Sequence, residues 1–160
     1  ATPGLGPAPA PSAPTPVPER VWPPPDCPPP PAGAPVDEAA AGPILAADVD
    51  GDGCREQVRV AGGVVSAGSG RWSVGTEGDL VVVGDWDCDG LATPGLVRPA
   101  TGRIWLFPAW ASGEAEVPAS PAGTTAAPVA AVAVDPDGDG CDEIEVADAA
   151  GHATVVDPGP

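Results

Sequence analysis

Three features of this 160-residue chain predict an all-β repeat protein. Short runs of apolar or alternating residues recur between Gly and Pro clusters, the period-two signature of antiparallel strands and hairpins. Three acidic loops of one design punctuate those runs: Asp48-Val49-Asp50-Gly51-Asp52-Gly53, Asp85-Trp86-Asp87-Cys88-Asp89-Gly90 and Asp135-Pro136-Asp137-Gly138-Asp139-Gly140. No stretch carries an amphipathic helical stripe of useful length.

The strands follow in order. An apolar run precedes each loop: Ile44 to Ala47, Leu80 to Gly84, and Val129 to Val134. An alternating or β-branched run follows each loop: Gln57 to Val60, Gly95 to Arg98, and Glu143 to Val146. Turn signals then lead into a third run. Gly62-Gly63 precedes Val64-Val65, Thr101-Gly102 precedes Arg103 to Phe107, and Ala150-Gly151 precedes His152 to Val156. The loops begin at Asp48, Asp85 and Asp135, so the unit recurs after 37 and then 50 residues. Periods in this range signal propellers or solenoids. The longer second unit holds an Ala/Pro/Gly-rich insertion over about Ala109 to Pro128, and the third ends without room for a full fourth strand. The expected repeats are residues 43–78, 79–127 and 128–160.

Residues 1–42 are a different kind of sequence. Ala1 to Pro18 is almost wholly Ala, Pro, Gly, Ser and Thr, and Pro23 to Pro25 and Pro28 to Pro31 are proline runs. Proline removes backbone donors and fixes φ, so polyproline II or extended coil is expected rather than helix or central strand. Composition alone reads this as a linker or stalk. Val21, Trp22 and Cys27 instead favour an arm that docks on another surface. Thr2, Ser12 and Thr15 suit O-glycosylation, and the absence of Asn excludes N-glycosylation.

The loops carry the chemistry. Carboxylates at positions one, three and five, then a glycine at six, match the spacing of a calcium loop. Alternate residues of a tight loop point inward together, and a hard cation takes oxygen ligands at about 2.3–2.6 Å. Without a cation, nothing offsets the repulsion of the clustered carboxylates. An EF-hand or dockerin loop needs an acid at position twelve and a following helix. Here Arg59, Leu96 and Val146 occupy position twelve, within strand patterns. The Gly-Gly-x-Gly-x-Asp nonapeptide of another calcium class is absent.

Composition limits the partners. The formal net charge is −17, with six arginines as the only strong bases. Phosphate backbones and anionic membrane surfaces both call for basic patches, so neither nucleic acid nor membrane insertion is expected. No apolar run approaches the roughly 18 residues of a membrane span. Cys27, Cys54, Cys88 and Cys141 form no C-x-x-C pair, which argues against zinc, and an even count beside calcium loops fits disulfides in an oxidising compartment. The chain is therefore expected to be secreted or held at the cell surface. Its lack of an initiator Met agrees with a mature chain after signal-peptide removal.

The second unit also carries a resemblance. Gly84-Asp85-Trp86-Asp87-Cys88-Asp89-Gly90, followed by Thr93-Pro94-Gly95-Leu96-Val97-Arg98-Pro99-Ala100-Thr101-Gly102, resembles an FG-GAP or VCBS-type repeat, and the likeness extends over about residues 43–160 in three copies. It implies three small antiparallel propeller-type blades, an incomplete propeller, each with a calcium ion between its first two strands, up to three ions in all. Similar blades form integrin α-chain propellers. The implied ligands are Asp48, Asp50, Asp52, the Cys54 carbonyl and Glu56 at the first site. At the second they are Asp85, Asp87, Asp89, the Leu91 carbonyl and Thr93, and at the third Asp135, Asp137, Asp139, the Cys141 carbonyl and Glu143. Thr93 departs from the pattern, so the second site is expected to bind more weakly or through a water.

Blade packing also orders the remaining candidates. If the loops of adjacent blades share a face, the favoured disulfides are Cys54–Cys88 and Cys27–Cys141, although four cysteines allow three pairings. Trp86 and Trp105 are expected between blades. Trp110, in the insertion, is the best exposed candidate for stacking on a sugar. His152 has no base or nucleophile beside it, and no phosphate loop, dinucleotide fingerprint or Gly-x-Ser-x-Gly occurs, so no enzyme is expected. Three blades fall short of the four to eight of a closed propeller, and open edges need cover. The expectation is a calcium-stabilised extracellular structural or adhesion protein that self-assembles, as a filament or oligomer, through its arm and open blade edges. The alternative is a cell-surface module binding glycan or protein.

Overall fold

The computed structural model describes residues 26, 27 and 44–158, and the rest of the expected arm lies outside the described residues. Among the described residues there is no helix and none long and apolar enough to cross a membrane. Eleven strands form three antiparallel sheets. The first holds β1 (Ile44–Ala47), β2 (Glu56–Ala61), β3 (Val64–Ala67) and β4 (Gly70–Ser73) in that spatial order. The second holds β5 (Leu80–Gly84), β6 (Thr93–Arg98), β7 (Arg103–Leu106) and β8 (Ser120–Thr124), and the third holds β9 (Pro128–Val134), β10 (Glu143–Asp148) and β11 (Ala153–Val156). Every sheet is a meander of sequential neighbours, the simplest outcome of short turns between short strands.

Side-chain alternation explains how the sheets stack. Val58 and Val60 of β2 and Val65 and Ala67 of β3 are buried, and they join Val81, Val83 and Leu96 of the second sheet in one core. The intervening Val82 and Val97 turn the other way and join Ile104, Ile144 and Val146 in a second core, between the second and third sheets. The middle sheet is therefore covered on both faces. That is why Leu80 to Val83 reads as a continuous apolar run, whereas β2 and β10 alternate. Burying each Val or Ile side chain stabilises by about 1.5–3 kcal/mol.

The outer faces of the end sheets are exposed. Ile44 on the first sheet and Val132 and Val155 on the third are among the large apolar side chains left in contact with solvent.

Trp86 fills the second core. Its ring lies over the backbone of Gly84 and Gly95, where any Cβ would meet it at 2.7 and 3.2 Å, and its indole N–H donates to the Thr93 carbonyl at 2.9 Å. Trp105 packs at the edge of the first core under the Arg98 guanidinium, 5.2 Å from the ring centre.

Two sequence expectations need correction. The Ala/Pro/Gly-rich insertion, to which the sequence assigns no strand, holds one: Ser120–Thr124 pairs with β7 and gives the second sheet its fourth strand. Nor is Trp110 a free platform. It is half-buried against the first core, its N–H donates to the Ala92 carbonyl at 2.8 Å, and its ring meets Trp72 at 4.4 Å between centroids. The Trp72 N–H in turn donates to the Ala111 carbonyl at 3.0 Å. The insertion arches back over the first sheet because two indoles offer both area and a polar handle there.

Candidate metal centre

Each acidic loop joins the first two strands of its sheet, and the three are built alike. Position one accepts two backbone N–H groups from its own loop: Asp48 from Gly51 (2.7 Å) and Gly53 (2.9 Å), Asp85 from Asp89 (3.1 Å) and Gly90 (2.8 Å), Asp135 from Gly138 (2.7 Å) and Gly140 (3.2 Å). Position five accepts the N–H of position seven: Asp52 from Cys54 (2.7 Å), Asp89 from Leu91 (2.7 Å), and Asp139 from Cys141 (2.8 Å). Two left-handed residues make the turn. Position six is Gly53, Gly90 and Gly140 at φ 87°, 94° and 92°, and position four is Gly51, Cys88 and Gly138 at φ 77°, 63° and 75°. Only Cys88 carries a Cβ there, a conformation that costs roughly 1–2 kcal/mol relative to glycine.

Three carboxylate groups in each loop bring one oxygen apiece within 4.8 Å of the others: Asp48, Asp50 and Glu56; Asp85, Asp87 and Asp89; and Asp135, Asp137 and Asp139. Oxygens bonded to a common cation at about 2.3–2.6 Å are separated by at most about 5 Å, so each group could hold one metal ion. Among the expected carboxylate ligands, Asp52 and Glu143 fall outside these groups. Glu56 and Glu143 both open the strand after their loop, but Glu56 turns back to accept the Val49 N–H at 2.9 Å, whereas Glu143 Oε2 is buried without a hydrogen-bond partner among the described residues. Thr93 is buried at the start of β6. Cys54, Leu91 and Cys141 follow the position-six glycines, with their N–H groups committed to the position-five aspartates. Burial raises the Glu56 pKa, as the neighbouring Asp50, Asp48 and Asp52 also do, while the Val49 N–H opposes the shift. A cation among them would reverse that balance.

The loops are also the joints between sheets. The Ala92 N–H donates to the Asp48 carbonyl at 2.7 Å, and the Asp142 N–H donates to the Asp85 carbonyl at the same distance. In each case position eight of one loop bonds position one of the loop before. Position seven likewise lies over position four of the preceding loop. Leu91 approaches within 3.7 Å of where a Gly51 Cβ would stand, and Cys141 is bonded to Cys88.

This relation corrects the cysteine pairing. The bridges are Cys27–Cys54 and Cys88–Cys141, and no cysteine is free among the described residues. Cys54 occupies position seven, which faces away from the second loop, so Cys88 is out of its reach and the arm supplies Cys27 instead. Sharing a face was the correct premise; the direction of the stack was missing from it.

Asp142 was missed by sequence reasoning. Its carboxylate accepts the Asp85 N–H at 2.8 Å, tying the third loop to the second, and burial raises its pKa against the pull of that bond. The one available signal was its place at position eight, where the other loops have Arg55 and Ala92. Asp79 was missed as well. It takes a bidentate pair of hydrogen bonds from Arg98, both at 2.9 Å, which hold its carboxyl well below the usual carboxylate range.

No protein-family model, curated protein or solved structure matches this chain.

Proposed function

We propose that this is a calcium-stabilised extracellular structural or adhesion protein that self-assembles, built from FG-GAP or VCBS-type units as an incomplete propeller with a proline-rich arm. The observation that carries the reading is the threefold recurrence of one acidic loop that gathers three carboxylates, with each loop bonded to the one before it where two sheets meet. An all-oxygen donor set suits calcium, whose flexible shell accepts carboxylates and carbonyls together, better than softer metals that prefer sulfur or imidazole. Two disulfides suit an oxidising compartment, where free calcium is high enough for weak loops. Sheets that join by one repeated contact end in faces able to receive more of the same, which supports assembly over a solitary unit.

The test is a comparison of the oxidised full chain in calcium and in chelator. Thermal melting and negative-stain images would be recorded side by side. A lower melting temperature together with loss of assemblies in chelator supports the reading. Identical melting, or a single chain under both conditions, refutes it.

A further inference from the structure

We infer that the outer face of the third sheet receives the outer face of the first sheet from a second copy, head to tail. This rests on the self-assembly reading above and specifies its contact.

The two faces are opposite in character and alike in layout. Across the third sheet, strand register places Val132, Glu145 and Val155 in one row, and Val134 beside Glu143 in the next. Ala131, Ala133, Ile144 and Val146 turn toward the second sheet, so this row faces outward, with Val132 and Val155 each 45% exposed. Across the first sheet, register places Ile44, Arg59, Ser66 and Arg71 in one row. Val58, Val60, Val65 and Ala67 turn toward the second sheet, so this row also faces outward, with Ile44 53% exposed. One face presents acids between valines, and the other presents arginines beside an isoleucine.

Charge makes the orientation specific. The third repeat has eight acids and no Lys or Arg, whereas the first has three of the six arginines. Joining two third sheets would set Glu145 against Glu145, and joining two first sheets would set arginine against arginine. Only the head-to-tail pairing brings opposite signs together.

The internal joints supply the pattern. Position four of the first loop lies under Leu91, and position four of the second is bonded to Cys141. Position four of the third is Gly138, and among the described residues nothing beyond its chain neighbours lies within 4 Å of where its Cβ would be. An incoming first sheet would bring Cys54, with its bridge to Cys27, to that vacant side. A heterologous contact of this kind closes into a ring if the rotation allows and otherwise continues as a filament.

Sedimentation velocity of the oxidised full chain in calcium tests the contact. Wild type, Glu145→Arg, Arg59→Glu and an equimolar mixture of the two variants would be compared, with circular dichroism to establish that each variant is folded. Wild type is expected to associate, each variant alone to associate roughly a hundredfold more weakly, and the mixture to recover wild-type association, because each variant's altered face matches the other's. If either substitution prevents folding, Glu145→Gln and Arg71→Glu replace them, with each expected to weaken association. Association of wild type that neither substitution weakens, or that the mixture fails to restore, overturns the head-to-tail contact while leaving self-assembly intact; the arm would then be the cover for one of these faces. A wild type that remains a single chain at every concentration overturns both.

Discussion

Replacing Cys88 and Cys141 tests the loop architecture quantitatively, because two separable terms act at one site. The bridge spans 53 residues. In the chain-entropy treatment, closing a loop of that length removes denatured-state freedom equivalent to about 4 kcal/mol. The second term is conformational. Cys88 sits at φ 63° where the other loops have glycine at 77° and 75°. An alanine there retains the left-handed penalty of roughly 1–2 kcal/mol, while a glycine is free of it. Cys88→Ala/Cys141→Ala should therefore lose about 4 kcal/mol, and Cys88→Gly/Cys141→Ala should lose roughly 1–2 kcal/mol less. Urea unfolding in saturating calcium, followed by tryptophan fluorescence, measures both. Equal stability of the two double variants would refute the shared left-handed turn at position four. A loss under about 1 kcal/mol in both would refute the cross-link as a constraint on the unfolded chain.

Other outcomes follow from the same geometry. Asp87→Ala should lower the ions bound in titration calorimetry by one while leaving stability in chelator within about 0.5 kcal/mol of wild type, since its exposed side chain serves the cage rather than the fold. Chelation itself should remove about 2.7 kcal/mol per site relative to free calcium at a hundred times the dissociation constant, read as a shift in the denaturation midpoint. Asp79→Asn should cost about 1–2 kcal/mol, discounted for the partly exposed Arg98. Because the Asp79 pKa is lowered in the fold, its contribution is complete above the ordinary value of 3.8 and disappears as pH falls through the folded value, so the gap between variant and wild type in pH-dependent melting should narrow only in acid. Gly95→Ala should cost about 1–3 kcal/mol by calorimetry, because a Cβ there would stand 2.8 Å from Val82 Cγ2 and 3.2 Å from the Trp86 ring.

Local signals were legible in the sequence, and directional ones were not. The runs at Ile44 and Leu80 announced strands as short apolar stretches bracketed by turn residues, and the run at Glu143 did so by alternation that exposes one face. The acidic clusters were legible because carboxylates at alternate positions of a tight turn are brought together whatever the rest of the fold does. Ser120–Thr124 stayed hidden because Ser-Pro-Ala-Gly-Thr has no apolar alternation, and pairing with β7 alone makes it a strand. The cysteine partners and the burial of Trp110 depend on which side of each loop meets its neighbour, a property of the stack rather than of any segment. Glu143 illustrates the same limit within a site. It shares position nine with Glu56, yet only Glu56 joins a carboxylate group.

The position-one aspartate belongs both to the loop turn and to the candidate ion site, and its surroundings grade along the chain. Asp48 and Asp85 are 6% and 8% exposed, while Asp135 is open to solvent. The first two give their carbonyls to the following loop through Ala92 and Asp142, and the third has no following loop among the described residues. Burial strengthens every electrostatic interaction by lowering the effective dielectric, so a cation should be held less firmly at Asp135 than where a sheet covers the cage. Docking of a second copy would cover Asp135 as the second and third sheets cover the other two. Ion binding at the third loop and association would then favour each other, because whatever binds one state preferentially shifts the equilibrium toward it. Asp137→Ala, which opens the third group alone, should therefore weaken association in calcium and lose that effect in chelator. Equal association of variant and wild type in calcium would separate the two events.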